Sequence, residues 1–92
     1  MATKIRIPTP LRKLTAGAAE ISAEGATVGE LIEALELAHP GIRDRLLEPS
    51  GAPRRFINIY VDGEDIRFLN GLQTPVAGVG EVSIVPAMAG GE

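Results

Sequence analysis

Polar and apolar residues alternate in two segments, one near each end of the chain. Residues 4–8 place isoleucines between basic residues, and residues 81–85 repeat this period of two. Such alternation predicts a strand with one buried and one exposed face. Residues 19–22 predict another short strand. We expect it to pair antiparallel with the first strand across the turn-rich residues 15–17.

The clearest helix is predicted to begin at Thr27. The sequence Thr27-Val-Gly-Glu30 is a capping box, in which the threonine hydroxyl accepts from the Glu30 N–H and the glutamate carboxylate reaches back to the Thr27 N–H. Pro40 and Gly41 end the helix after His39, and a short helical piece is expected at 42–47. Apolar residues recur at helical spacing and predict the buried stripe: Val28, Leu31, Ile32 and Leu35.

The strongest strand signal lies in the second half of the chain. Residues 56–61 are rich in β-branched and aromatic side chains, and Asp62-Gly63 then predicts a tight turn. Residues 65–68 are expected to form a short strand after that turn. The order strand, strand, helix, strand, short strand, strand predicts an α+β domain with a helix on one face of the sheet.

Strand parity assigns the strand residues to two faces. One set is expected to face the helix: Ile5, Ile7, Ile57, Ile59, Val61, Val82 and Ile84. The other set is expected to share the open face: Lys4, Arg6, Arg54, Phe56, Asn58, Tyr60 and Val85.

Composition then narrows the classes of function. The 92 residues suffice for one small domain, and the chain has no cysteine and one histidine, His39. Thiolate metal sites, disulfides and cysteine nucleophiles are thereby excluded. A net charge of −3 argues against binding to nucleic acid, and no apolar run is long enough to span a membrane. We expect a cytoplasmic protein.

Catalytic and metal-binding patterns are weak throughout the chain. The serines have only His39 as a candidate base, and that histidine stands at a predicted helix end. Asp62, Glu64 and Asp65 cluster in a predicted turn, where exposed acids are ordinary. The 78–80 segment does not match a phosphate loop, because no lysine follows it and no helix begins there. We therefore predict no catalytic residue and no metal ligand.

The C-terminal Ala89-Gly90-Gly91 directs attention to a known family. Together with the segments before it, this tail resembles the ubiquitin-like sulfur carriers (the ThiS/MoaD family), especially the branch that serves cysteine biosynthesis. The resemblance implies a β-grasp fold, with a mixed sheet of about four to five strands and one main helix on one face. It implies a domain over 1–87 and a flexible tail over 88–92. The matching segments are 7–11, 55–68, 71–74 and 82–87.

The resemblance implies chemistry at the main chain. In such carriers a partner adenylates the carboxylate of the last glycine, here Gly91, and converts it to a thiocarboxylate that donates sulfur. Glycine suits this position because it lacks a Cβ atom. The preceding residues are implied to thread a narrow channel toward the nucleotide: Gly90, Ala89, Met88 and Ala87. Glu92 follows Gly91 and would have to be removed first.

The implied cofactors belong to partner enzymes. These are an ATP-dependent adenylating and sulfurtransferase enzyme, a pyridoxal-phosphate cysteine synthase and a JAMM-type zinc peptidase. The chain itself is expected to bind no cofactor and to be a monomer when free. The open sheet face is the predicted partner surface, with Phe56, Tyr60 and Val85 as its apolar centre and Arg6 and Arg54 as its basic rim. Alternatively, Phe56 and Tyr60 only cover the sheet.

Several alternatives remain open at this point. Glu92 is interpreted as a residue to be processed, although an artefact of the sequence or an inactive form would also explain it. The 78–80 loop departs from the Gly-Asp turn of related sequences. Within the family, the chain could be the small subunit of molybdopterin synthase. It could also be a ubiquitin-like modifier conjugated through Gly91, or an interaction domain whose tail is idle.

Overall fold

A computed structural model describes residues 2–86 of the chain. The predicted tail residues Ala87, Met88, Ala89, Gly90, Gly91 and Glu92 lie outside the described residues. The strands are β1 (Ala2–Arg6), β2 (Glu20–Glu24), β3 (Ile57–Val61), β4 (Glu64–Asp65) and β5 (Glu81–Pro86). The α-helices are α1 (Val28–Ala38) and α2 (Ile42–Leu46), and short 3-10 helices cover Thr9–Thr15, Ile66–Phe68 and Gly71–Gln73.

The five strands form one mixed sheet in the order β2-β1-β5-β3-β4. The pairs β1–β2, β3–β5 and β3–β4 are antiparallel, which confirms the predicted hairpin at the start of the chain. The pair β1–β5 is parallel, so the first and last strands lie side by side at the centre. The C-terminal strand is thus held between two neighbours rather than at an edge.

Helix α1 begins as the capping pattern predicts, with one difference. The Thr27 Oγ1 accepts a hydrogen bond from the Glu30 N–H at 3.3 Å. The Glu30 carboxylate accepts from the Ala26 N–H at 2.8 Å, not from Thr27 as predicted. The chain passes so close to the helix at Gly25 that an added Cβ would lie 2.9 Å from the Glu30 Cβ. This close approach places the Ala26 N–H at the carboxylate.

The core forms between α1, α2 and one face of the sheet. All four residues of the predicted α1 stripe are buried, and so are all seven isoleucines and valines that strand parity assigned to that face. Ile42 and Leu46 of α2 are fully buried beside them. Burying a side chain of this size contributes about 1.5–3 kcal/mol, so this aliphatic cluster holds the domain together with few aromatic residues.

The short strand predicted over 65–68 is present, but it is shorter and begins one residue earlier. Strand β4 has only two residues, Glu64–Asp65, and a 3-10 helix follows at Ile66–Phe68. The Asp65 carboxylate accepts from the Arg67 N–H at 2.8 Å and so caps this turn. Ile66 is only 2% exposed. The local cap and the burial of Ile66 therefore prevail over the strand tendency of the segment.

The connection between α1 and α2 depends on one carboxylate. Glu36 accepts hydrogen bonds from the Arg43 N–H at 2.9 Å and from the Gly41 N–H at 3.1 Å. Because these N–H groups stabilise the ionised carboxylate, they hold the pKa of the Glu36 carboxyl below its ordinary value, and the Arg43 N–H has a larger effect than the Gly41 N–H. Glu33 pairs with the Arg43 guanidinium at 2.7 Å. The acidic face of α1 thus fixes the start of α2.

Candidate functional site

The site begins where the last strand ends. Pro86 is the final residue of β5, and its Cα partner is Ile57 at the start of β3. Pairing with β1 involves only the first half of β5, as far as Ser83. The end of β5 is therefore held by β3 on one side, while its other side is open.

A groove lies at this end of the sheet, and we call it the root groove. Its volume is about 540 Å³. Its walls come from the 3-10 helix Thr9–Thr15, from α2 with Glu48 beyond its end, from residues 54–57 and from Pro86. Its apolar lining is Pro10, Leu11, Phe56, Ile57 and Pro86. Arginines and one acid complete the lining: Arg45, Arg54, Arg55 and Glu48.

Two residues of the predicted partner surface, Arg54 and Phe56, line this groove. The Arg54 Nε donates to the Asp44 carbonyl at 2.7 Å, which directs the side chain toward α2. Phe56 precedes β3, is 53% exposed and carries the Arg55 guanidinium 5.6 Å from its ring centroid. Strand parity could not place them, because β3 begins only at Ile57.

The open sheet face brings together the remaining predicted residues. Arg6 and Tyr60 both pair in register with Ser83, so the three lie in one row across the central strands. Val85 is two positions further along β5 and is 40% exposed. The Arg6 Nε lies 3.3 Å from a Glu81 carboxylate oxygen. Sequence reasoning missed Glu81, which offsets part of the basic character expected of this face.

Arg67 is a second residue that sequence reasoning missed. It donates to the Ile57 carbonyl at 3.0 Å and to the Asn58 Oδ1 at 2.6 Å. These bonds fasten the start of β3, which in turn pairs with Pro86. The neighbouring Phe68 is 86% exposed. The strand that the sequence predicted as far as residue 68 concealed both features.

The acidic turn after β3 has a structural role. The Asp62 carboxylate accepts from the backbone N–H groups of Gly80 at 3.1 Å and Glu81 at 3.0 Å. Asp62 and Gly63 both have positive φ, at 48° and 90°, as a tight hairpin turn requires. A Cβ at Gly80 would lie 3.3 Å from the Asp62 Oδ1. The 78–80 loop therefore serves to join this turn to β5.

The described residues lack two kinds of feature, a metal-binding cluster and a membrane-spanning helix. Within 2–86, no group of three or more histidine, aspartate or glutamate side chains is arranged to hold a metal ion. In the same part of the chain, no helix combines the length and apolar character that crossing a membrane requires.

Comparisons with known proteins match almost the whole chain. The model of the ThiS family matches residues 5–91. The sulfur carrier protein CysO of Mycobacterium tuberculosis is 47% identical over 93 residues, which cover 99% of this chain and all of that protein. The small archaeal modifier protein 3 of Haloferax volcanii is 32% identical over 74% of this chain and 73% of its own length.

A solved structure matches the fold. A chain of the Amycolatopsis orientalis BexX/CysO complex superposes with a TM-score of 0.88 and 44% sequence identity. The match covers 94% of this chain and 96% of that chain. The five-stranded mixed sheet with its packed helix is therefore the ubiquitin-like β-grasp fold, as the sequence predicted.

Proposed function

This chain belongs to the ThiS family, and on that premise we propose that it is a sulfur carrier that works through a thiocarboxylate at Gly91. It acts as a protein substrate and sulfur donor rather than as an enzyme. Removal of Glu92 first exposes the Gly91 carboxylate. The sulfur is then donated in cysteine biosynthesis or in the synthesis of another sulfur metabolite.

The observation that carries this proposal is the extent of the match. Residues 5–91 fit the family model, so the matched segment includes Gly90 and Gly91 and stops before Glu92. A sulfur carrier is 47% identical along 99% of the chain. Similarity over the whole length supports a shared role more strongly than a shared fold alone would, since one fold serves many functions.

The proposed reaction uses the main chain as its reactive group. The Gly91 carboxylate attacks the α-phosphorus of ATP on the partner enzyme, which forms an acyl adenylate and releases pyrophosphate. A hydrosulfide-level sulfur nucleophile supplied by the partner then displaces AMP and leaves a thiocarboxylate. No cysteine is needed, and the chain has none. Glycine at 90 and 91 leaves the approach to the nucleotide free of side chains.

The domain contributes a fixed starting point for the tail. Pro86 is paired with Ile57, and Arg67 binds the Ile57 carbonyl at 3.0 Å. Strand β5 lies between two neighbours, so its position is set by the centre of the sheet. A partner that recognises the domain therefore also determines where residue 87 begins.

We assign partner binding to the open sheet face around Arg6, Tyr60 and Val85. An apolar centre with charged neighbours is the usual anatomy of a transient interface. The partners would be the adenylating enzyme, a cysteine synthase with pyridoxal phosphate, and a zinc peptidase that removes Glu92. A related chain occurs in the BexX/CysO complex, which supports a role in protein complexes. These encounters would take place in the cytoplasm, between partners and a free monomer.

Intact mass tests the proposal directly. The protein is incubated with peptidase, adenylating enzyme, ATP and a sulfur source, with Mycobacterium tuberculosis CysO as a positive control. The mass should fall by one glutamate residue and then rise by the exchange of one oxygen for sulfur. Gly90→Val keeps the carboxylate but adds a branched side chain, so loading should slow at least about tenfold. An unchanged mass beside a loaded control would refute the proposal.

A ubiquitin-like modifier is the second candidate function. The similarity to a small archaeal modifier protein of Haloferax volcanii favours it. In this case Gly91 would be joined to lysines of other proteins. Higher-mass conjugates should then appear in cells and should disappear when residues 90–92 are deleted.

Two further alternatives have distinct outcomes. A small subunit of molybdopterin synthase would co-purify with a large catalytic subunit. An interaction domain with an idle tail would keep its biological role after residues 90–92 are deleted.

A further inference from the structure

The root groove lies directly beside Pro86, the last residue that the structure describes. Pro86 is part of its lining, so residue 87 starts at the groove rather than at a distance from it. At most about 3.3–3.6 Å per residue, the six residues 87–92 can extend roughly 20 Å. The shortest dimension of the domain is 24 Å. The tail can therefore reach surfaces near Pro86 but not the far side of the molecule.

The charges of the groove are opposite to the charge of the tail. Arg45, Arg54 and Arg55 line the groove together with a single acid, Glu48. This excess of positive charge occurs in a chain whose net charge is −3. The tail carries one ionisable side chain, and it is the acidic Glu92. Opposite charges of this kind orient a weak contact, although each exposed pair contributes only about 0–1 kcal/mol.

The apolar part of the groove also has a counterpart in the tail. The exposed ring of Phe56 and the exposed Pro10 stand beside buried Leu11 and Ile57. Met88 is two residues beyond Pro86, and its unbranched thioether adapts to irregular apolar surfaces and to aromatic rings. The order of the tail is therefore apolar near the groove and acidic at the end.

We propose that the unprocessed segment 87–92 docks into the root groove, with Met88 against Phe56 and the Glu92 carboxylate beside the arginines. This inference rests on the proposed function, because its consequence concerns the same two glycines. Docking holds Gly90 and Gly91 against the domain while Glu92 is present. Removal of Glu92 takes away the anchoring side chain and shifts the tail toward the free state that a partner can bind.

A second hollow beside Pro86 provides the competing position. It lies on the other side of β5, has a volume of about 280 Å³ and is lined by Arg6, Thr9 and Arg12 among others. Arg6 is paired with Glu81, and the Arg12 Nε donates to the Ile7 carbonyl at 3.0 Å. This hollow is about half the size of the root groove, and two arginines line it where three line the root groove.

Spin labelling distinguishes the two positions. The chain has no cysteine, so one introduced cysteine carries the label at a single site. Glu48→Cys places a nitroxide at the root groove, and Thr9→Cys places one at the second hollow. We expect the label at 48 to attenuate the amide NMR signals of Met88 and Gly91 roughly twofold or more beyond the label at 9. Equal attenuation, or stronger attenuation from position 9, would overturn the proposal.

Three further variants test the contacts with the label kept at 48. Arg45→Glu with Arg55→Glu reverses two exposed charges without altering the core, and should restore most of the Gly91 signal. A chain ending at Gly91 should show the same recovery. Met88→Ser should restore the signal of residue 88. Attenuation that persists in all three would show that the assigned contacts do not hold the tail.

These measurements are independent of sulfur loading. A docked tail on a chain that never gains sulfur would leave the docking inference intact and refute the proposed function. If the chain gains sulfur but both labels attenuate the tail signals equally, the proposed function stands and the docking inference is refuted.

Discussion

Replacing Gly25 with alanine tests how closely the chain approaches helix α1. An added Cβ would lie 2.9 Å from the Glu30 Cβ and 3.1 Å from both the Glu30 carbonyl carbon and the Leu31 nitrogen. Two of these atoms belong to the helix backbone, so a change of rotamer cannot relieve the contact. The chain at 25–26 would have to move away by roughly half an ångström, since 3.4 Å is the start of ordinary contact.

That movement weakens hydrogen bonds on both sides of Gly25. The Ala26 N–H donates to the Glu30 carboxylate at 2.8 Å, and the Ala26 carbonyl accepts from the Val76 N–H at 3.0 Å. Overpacking costs about 1–3 kcal/mol and a lost hydrogen bond about 0.5–1.5 kcal/mol. Alanine also lowers the conformational entropy of the unfolded chain, which stabilises the folded state by about 0.4–1 kcal/mol. We expect a net loss of about 1–3 kcal/mol.

Thermal unfolding followed by circular dichroism measures this loss. For a domain of this size, 1 kcal/mol corresponds to about 4–8 °C, so Tm should fall by roughly 4–20 °C. Gly29→Ala is the matched control, because it lies in the first turn of α1, gains helix propensity, and its added Cβ would have the Leu72 carbonyl oxygen at 3.3 Å as its nearest contact. A Gly25→Ala Tm equal to or above that of the wild type would refute the reasoning.

Two other predictions concern α1. Leu35→Ala should lower the free energy of unfolding in urea by about 2–5 kcal/mol, because Leu35 is 1% exposed. Leu37→Ala is the control and should change stability little, because Leu37 is 87% exposed. Equal losses of stability would contradict this assignment of the buried face. Glu36→Gln should lower Tm at pH 7, because the lowered pKa of the Glu36 carboxyl means that its ionised form stabilises the folded state. This contribution is lost as pH falls from the ordinary glutamate range through the lowered pKa, so the Tm gap to wild type should narrow over that interval. A gap that widens in acid would be inconsistent with this reasoning, and Glu20→Gln serves as an exposed control.

The elements that the sequence predicted correctly are those with a strong periodic pattern. Helix α1 was predicted with its cap, its buried stripe and its end, since each depends on residues within one or two turns. The alternating strands were located within one or two residues for the same reason. The Asp62-Gly63 turn also followed from local chemistry, because it requires positive φ at both positions.

The predictions that failed concern residues whose place is set by contacts that strand periodicity does not describe. Residues 65–68 have strand character, but Asp65 caps a turn and Ile66 enters the core. Arg54 was assigned to the open sheet face, yet its partner is the carbonyl of Asp44 ten residues earlier. Strand alternation cannot assign a face to a residue that lies just outside its strand. The position of Phe56 therefore also depends on the neighbouring segments.

Some parts of the candidate site were predicted from the sequence, and others were visible only in the structure. The tail chemistry at Gly91 came entirely from the resemblance of the sequence, and this residue lies outside the described part of the chain. Of the residues assigned to the partner surface, Arg6, Tyr60 and Val85 do share a sheet face, and their role in partner binding stays a prediction. The root groove was not predicted, because its walls come from four separate segments of the chain.

By itself, the sequence determined the family, the order of most elements and the residues of the core. These follow from local periodicity and from a motif that is contiguous along the chain. The tertiary structure decided the parallel pairing of β1 with β5, the groove beside Pro86 and the hydrogen bonds of Arg67 to β3. Each of these joins residues that are distant in sequence, and their free energy appears only when packing brings the segments together.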